Sequence, residues 1–259
     1  MGESANILIT SGGTSEPIDN VRVITNLGTG RLGSLIADRF AQQEKVGKIF
    51  YVCGDNSKVP QNSKKVTVIR TRSVRDLKKE LTRLMEENRI DAVIHSMAVS
   101  DYTVNSVTTI GALAEYLDKN SERKLSEALI QRGISSTDVR GEAGKISSKL
   151  PSPIILLGPT PKIIALLRGM APESVIVGFK LLDHVTSEEL VSTARDLMEK
   201  NDCDMVLAND SARISGDRHT GYLVDRDGSI NTYNTKQDIA EGIASEVMQK
   251  LEEKWAKTS

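Results

Sequence analysis

The chain has 259 residues, 39% of them hydrophobic and 27% charged, with a formal net charge of −1. That length buries a sizeable core in one or two domains. The near-zero charge and 3% aromatic content exclude a nucleic-acid partner, and the absence of a long apolar run excludes a bilayer-spanning helix.

In chain order, residues 5–10, 48–53, 66–70, 91–95, 153–157, 174–179 and 204–208 are short apolar runs, several rich in Ile and Val. They lack a polar alternate face, which predicts buried parallel strands. Amphipathic segments lie between them. Leu32, Leu35, Ile36 and Phe40 share one helical face, as do Val74, Leu77, Leu81, Leu84 and Met85, and later Ile239, Ile243, Val247 and Leu251. Alternating strands and helices predict a three-layer, Rossmann-like α/β fold with a mostly parallel sheet. Arg226-Asp227-Gly228 between residues 221–225 and 229–233 predicts a C-terminal β-hairpin. Residues 105–152 break the rhythm. Helical patterns at 110–117 and 125–130 lead into a stretch rich in Gly, Ser and Lys. The expectation is a single domain, 1–259, with a helical excursion ending in a mobile cationic flap. Cys53 and Cys203 lie in apolar runs and read as buried free thiols. His95, His184 and His219 are scattered, without metal-ligand spacing. Met1 to Ser4 lead straight into the first strand without a signal-peptide pattern, so a cytoplasmic location is expected.

Two glycine clusters precede the first helix. Ser11-Gly12-Gly13-Thr14 follows the first strand, and Gly28-x-Gly30-x-x-Gly33 opens the helix. The second cluster matches the dinucleotide fingerprint, but about 17 residues separate it from its strand, where that fingerprint needs almost none. Glycines at a helix N-terminus permit close backbone approach to phosphates. The ordinary alternative is turn geometry and helix packing. An NAD(P)-dependent oxidoreductase, with Asp55 on the ribose, and a non-catalytic nucleotide-binding module are the rival readings.

Six blocks, the first two holding these glycine clusters, complete a pattern. They are Ile9 to Pro17, Val21 to Asn26 with its glycine loop, Ala98-Val-Ser-Asp101-Tyr102, Lys145-Ile-Ser-Ser148 and Val177-Gly-Phe179-Lys-Leu181, closed by Ala208-Asn209-Asp210. Together they resemble the phosphopantothenate–cysteine ligase family of coenzyme A biosynthesis. The resemblance covers nearly the whole chain except roughly residues 105–140, and it suggests a stand-alone synthetase without the decarboxylase half. It implies ligation of 4′-phosphopantothenate to L-cysteine through an acyl-nucleotide. On the same resemblance Mg2+ would accompany CTP or ATP, with CTP preferred, and the enzyme would be a homodimer.

The resemblance also implies roles. Gly12, Gly13, Gly28, Gly30, Gly33, Phe179 and Asn209 would bind nucleotide, with Arg195 and Lys200 reaching phosphates. The family usually carries serine where Gly28 stands, so a backbone contact would replace a hydroxyl. Asn26 would hold the substrate carboxyl and the acyl intermediate; a turn or N-cap Asn is its ordinary role. Lys145 would neutralise the leaving pyrophosphate, with Lys149 as a secondary candidate. Asp101 and the backbone at Met97 and Ala98 would hold the pantothenate portion, and Arg22 would reach the neighbouring subunit's substrate. On spacing alone, Asp101 reads equally as a cap, Phe179 as core, and Arg22, Arg195 and Lys200 as solvated cations.

Overall fold

The structure, a computed structural model, describes residues 4–61, 64–121, 123–140 and 144–258. The chain divides into two compact units: residues 1–14, 27–99 and 162–259 form the first, and residues 15–26 and 100–161 the second.

The first unit is built on an eight-stranded sheet. Its strands are β1 (Ala5–Ser11), β4 (Val46–Cys53), β5 (Val66–Arg70), β6 (Ala92–His95), β9 (Val175–Leu182), β10 (Met205–Ser215), β11 (Arg218–Asp225) and β12 (Ile230–Thr235). Their order is β12-β11-β10-β9-β6-β1-β4-β5. From β5 to β10 every pairing is parallel, and β10-β11-β12 run antiparallel. The expected hairpin is therefore present, its turn closed by Gly228 N–H donating to the Asp225 carbonyl at 3.1 Å.

Helices cover both faces. α1 (Arg31–Gln42) and α7 (Lys236–Thr258) pack on one, where Ile7, Ile9, Ile36, Phe40, Tyr51, Ile243 and Val247 are buried. α2 (Val74–Glu87), α5 (Ile163–Met170) and α6 (Ser187–Asn201) cover the other, with Leu8, Leu77, Leu81, Leu167, Leu190 and Val206. Each such side chain contributes about 1.5–3 kcal/mol by leaving water. The β4 and β6 runs are apolar on both faces because both faces are covered. β5 is the edge strand, and unlike the buried strand expected for residues 66–70 it exposes Thr67, Val68 and Arg70. Cys53 and Cys203 are buried free thiols, as expected. Among the described residues no helix is long and apolar enough to cross a membrane.

The second unit holds strands as well as the helices of the expected excursion. It holds β2 (Ser15–Pro17) paired with β3 (Val23–Thr25), and β7 (Tyr102–Thr109) paired with β8 (Pro153–Pro159), both antiparallel. α3 (Ile110–Lys119) and α4 (Glu127–Ser136) lie between β7 and β8 in the chain. Residues 153–157 are thus not a buried parallel strand of the main sheet. They belong to β8, whose residues alternate between exposed and partly buried because only one face is covered. Residues 141–143 of the expected flap lie outside the described residues.

His95, at the end of β6, is buried, and its Nδ1 lies 2.7 Å from Thr10 Oγ1. Burial pushes its pKa down to about 4. In the unfolded chain the imidazole takes up a proton near pH 6.5. Stability is therefore full above about pH 6.5 and declines as the pH falls towards 4. Thermal melts between pH 7.5 and 4.5 should show a falling midpoint, and His95→Gln should reduce the slope. An equal slope in the variant contradicts the assignment.

Candidate functional site

The strand order carries a switch point. β1 is followed in the sheet by β4 on one side, whereas β6 is followed by β9 on the other. The loops leaving β1 and β6 therefore flank a crevice at the carboxyl edge, where open α/β sheets take ligands. Main-chain hydrogen bonds hold these loops together. Ser96 N–H donates to the Thr10 carbonyl at 3.1 Å, Ala98 N–H to Gly12 at 2.8 Å, and Thr14 N–H to Ala98 at 3.2 Å.

The second glycine loop presses against the first. A Cβ on Gly28 would lie far inside contact distance of the Gly12 carbonyl and 3.0 Å from Gly13 N. Gly12 has φ +82° and Gly30 φ +73°, the left-handed region that glycine adopts without strain. A Cβ on Gly33 would meet Ser11 Cβ at 2.7 Å and Ser96 Oγ at 2.9 Å, so this glycine seats α1 against both strands. Gly28 is therefore more than a serine without its hydroxyl: the backbone of Gly12 occupies the space where a side chain would begin.

Gly30 is the N-cap of α1 and supplies no side-chain acceptor. By contrast Ser73, Thr109, Ser126 and Thr186 cap α2, α3, α4 and α6 with their hydroxyls. The first turn of α1 lines a cavity of about 650 Å³. The Arg31 N–H donates to Thr29 Oγ1 at 3.4 Å; the later N–H groups of that turn and the helix dipole favour an anion there.

Of the expected residues, Gly12, Gly28, Gly30, Gly33, Met97, Ala98, Phe179 and Asn209 line this cavity. Gly13 stands behind it, bridged to Ala98. The Ala98 amide donates to Gly12 and its carbonyl accepts from Thr14, so a ligand contact at the Ala98 main chain is left to the second lone pair of that carbonyl. Arg195 and Lys200 are not brought to the cavity. Arg195 lines a separate depression on α6 with Ser192 and Glu199. Lys200 is in the last turn of α6, where the crossover has returned to the amino edge to start β10. Asp55 is exposed and is not among the cavity's lining residues.

Sequence reasoning missed the charged lining. Lys58, Arg31 and Lys236 contribute cations, and His219 and Ser11 contribute polar groups. Arg31 pairs with Asp217. Lys236 Nζ donates to the Gly216 carbonyl at 2.6 Å, and burial, aided by the nearby Arg31, lowers its pKa. Burial, aided by Lys236, pushes His219 down to about 4, so it is neutral at pH 7. Its Nε2 lies 2.9 Å from Asn209 Nδ2 and accepts from that amide, fixing the Asn209 side chain. These residues come from five places in the chain (the end of β1, the start of α1, the loop after β4, β11 and the start of α7), so no local motif announces them.

The remaining candidates belong to the second unit. Asn26 is exposed and directly precedes Leu27, the first residue of the cavity-lining loop. Asp101 lies beyond β6, which stops at His95. It directly precedes β7, and its carbonyl accepts the Thr160 N–H at 3.0 Å. Lys145 is exposed, but its neighbours are anchored: Asn20 N–H donates to Gly144 at 2.7 Å, and Ile146 is buried among Val104 and Val107. Residues 144–146 of the expected flap are thus joined to the turn at Asn20 and to the small core around Val104 and Val107. Lys149 is exposed. Arg22 is not a bare surface cation. Its Nη2 donates to the Ile146 carbonyl at 3.1 Å, and it borders a cavity of about 350 Å³ with Ile18, Ser147 and Ile155.

A family model described as DNA/pantothenate metabolism flavoprotein C-terminal domain matches residues 3–115 and 137–251. The coenzyme A biosynthesis bifunctional protein CoaBC of Thermococcus kodakarensis is 28% identical over 251 residues, 96% of this chain and 52% of that protein. The chain spans about half the length of the curated relatives it matches. The crystal structure of the DNA/pantothenate metabolism flavoprotein from Streptococcus pneumoniae matches with a TM-score of 0.78 at 31% identity, over 95% of this chain and 99% of that one. A Cab2 H337A mutant in complex with phosphopantothenate-cysteine shares the fold, with a TM-score of 0.67 at 17% identity over 98% and 88% of the two chains.

The packing of Gly28 on Gly12 is testable. Gly28→Ala should cost about 1–3 kcal/mol of stability, because a backbone must move to admit the methyl. It should also weaken tripolyphosphate binding. Gly169→Ala, whose methyl would enter open space, should leave the melting midpoint unchanged or slightly raised. Equal midpoints for the two variants contradict the close packing.

Proposed function

Because the chain belongs to the DNA/pantothenate metabolism flavoprotein C-terminal domain family, we propose that it joins 4′-phosphopantothenate to L-cysteine, driven by a nucleoside triphosphate. The observation that carries this reading is the cavity at the α1 N-terminus, walled by the Gly12 and Gly28–Gly33 main chain and edged by Lys58, Arg31 and Lys236. Main-chain amides and fixed cations suit a triphosphate. The names of the relatives, which include coenzyme A biosynthesis proteins and a complex with phosphopantothenate-cysteine, support the substrate class.

The chemistry follows from a carboxylate's being a poor electrophile. The phosphopantothenate carboxylate attacks the α-phosphorus, and pyrophosphate leaves. The amine of cysteine then attacks the acyl carbon, loses a proton, and expels the nucleoside monophosphate. No protein nucleophile is needed. Asn26, with both a donor and an acceptor, holds the carboxyl group and then the oxyanion. Lys145 offsets charge on the departing pyrophosphate. Asp101 binds the pantothenate portion, and Arg22 takes the phosphate in the neighbouring protomer of a cytosolic homodimer. Phe179 and Asn209 contact the nucleoside, and CTP is preferred over ATP.

Among the described residues no group of three His, Cys, Asp or Glu side chains could cage a metal. Mg2+ would therefore arrive on the triphosphate, held by phosphate oxygens and water as such hard ions usually are. Its contribution there is to lower the negative charge facing the attacking carboxylate.

Turnover with phosphopantothenate, cysteine, Mg2+ and either CTP or ATP should release pyrophosphate and yield a product of the ligated mass. Asn26→Ala should lower turnover about 100-fold or more while leaving nucleotide affinity within about threefold. No pyrophosphate with either nucleotide defeats the reading, and unchanged turnover in Asn26→Ala removes that residue from the mechanism.

A further inference from the structure

The turn joining β2 to β3 makes contacts its own stability does not require. The Asp19 side chain is 2% exposed. Its Oδ1 accepts from Val21 N–H at 2.8 Å and Arg22 N–H at 2.7 Å, which closes the turn locally. Its Oδ2 accepts from Ile146 N–H at 3.0 Å, from a segment 127 residues further along the chain. Arg22 completes a bracket around the same residue. Its Nη1 is 3.6 Å from Asp19 Oδ2, and its Nη2 donates to the Ile146 carbonyl.

The other flank of Lys145 is tied to the same turn. Asn20 N–H donates to the Gly144 carbonyl at 2.7 Å. Gly144 has φ +68°, and a Cβ there would collide with the Asn20 amide. Ile146 is 4% exposed and plugged into the small core of Val104 and Val107. The residues before and after Lys145 are therefore held by hydrogen bonds, one buried side chain and a left-handed glycine. Lys145 itself is left exposed, projecting from a fixed main chain. The Val21 N–H chiefly, with those of Arg22 and Ile146 and the Arg22 guanidinium, holds the Asp19 carboxyl below its ordinary range against the effect of burial. Asp19 is thus ionised at neutral pH, and charge-assisted acceptors of this kind bind N–H groups more firmly than neutral ones.

We propose that Asp19 is a positioning residue for Lys145, fixing the main chain that carries the ammonium so that its place is set before substrate arrives. The inference rests on the reading of Lys145 as the cation that meets the pyrophosphate. A lysine on a free loop loses side-chain and backbone entropy each time it engages a phosphate. A lysine on a tethered main chain has already lost the backbone part. Asp19 itself touches no reacting atom. Lys149 gains little from the tether, because its N–H donates to Ser147 Oγ at 3.2 Å within the same exposed turn.

The test uses the full chain and two readouts. Hydrogen exchange over residues 144–150 should be slowed in the wild type and about tenfold faster or more in Asp19→Ala. Asp19→Asn keeps the turn acceptor without the charge and should fall between them, which covers the case in which the alanine variant folds poorly. In turnover, Asp19→Ala should lower kcat about tenfold and leave the KM for cysteine within about twofold. Added to Lys145→Ala, it should lower kcat by less than about twofold further, because residues acting as a unit are not additive. Unchanged exchange in both variants overturns the inference, and so does an equal kcat loss with and without Lys145. A wild type that protects this segment but ligates nothing defeats the functional reading, and the positioning role falls with it. Ligation with unchanged exchange defeats the positioning role alone.

Discussion

The close contact of two main chains, Gly12 against Gly28, is the constraint on which the candidate site depends. No side chain fits between them. The loop leaving β1 and the loop entering α1 therefore present peptide groups to the cavity. That contact aims the first turn of α1 into the crevice at the sheet's switch point. The Gly33 packing against Ser11 and Ser96 then fixes the helix to the loops of β1 and β6 together. The cations Lys58, Arg31 and Lys236 lie around this glycine-loop backbone, and Leu27, Leu32, Met97, Phe179, Leu181 and Ile214 supply the apolar remainder of the lining. A backbone frame needs no reorganisation as charge develops, which is the property that electrostatic stabilisation of a transition state requires.

The second unit solves a different problem with different means. Its core is small, formed around Val104, Val107 and Ile146, and burial alone gives it little. Hydrogen bonds carry more of the work. Asp19 ties the β2–β3 turn to the segment around Lys145, while Asp138 accepts from Val107 N–H and pairs with Arg140. Glu16 accepts from the Thr103 hydroxyl at 2.7 Å. A buried acceptor left without its donors is expensive. These carboxylates therefore specify one arrangement of strands that the apolar residues would not select by themselves.

Much of the first unit was legible in the sequence. β1, β4 and β6 are apolar on both faces because helices cover both, and that composition has few other meanings. The periodicity at Leu32, Leu35, Ile36 and Phe40 and at Val74, Leu77 and Leu81 placed α1 and α2, and the Ser73–Asp76 capping box agrees with the second. The second unit was much less legible. Tyr102 to Thr109 is polar and carries no alternation strong enough to predict β7. Residues 153–157 are apolar enough for a central strand, yet they pair only with β7. An apolar run reports burial or pairing but not which sheet receives it. Arg195 and Lys200 show the same limit. A cation on a helix is a candidate for any phosphate nearby, and only the crossover direction places Lys200 at the opposite edge.

What the sequence by itself determined is the layer architecture, the glycine positions and the family, because these rest on local periodicity and on residue types that few backbones tolerate. Only the tertiary structure decided that Gly28 packs on Gly12, that Lys58, Arg31, Lys236 and His219 surround one cavity, and that Asp19 grips the chain beside Lys145. Each of those depends on segments far apart along the chain. Their meeting is set by strand order and crossover direction, which local patterns do not encode.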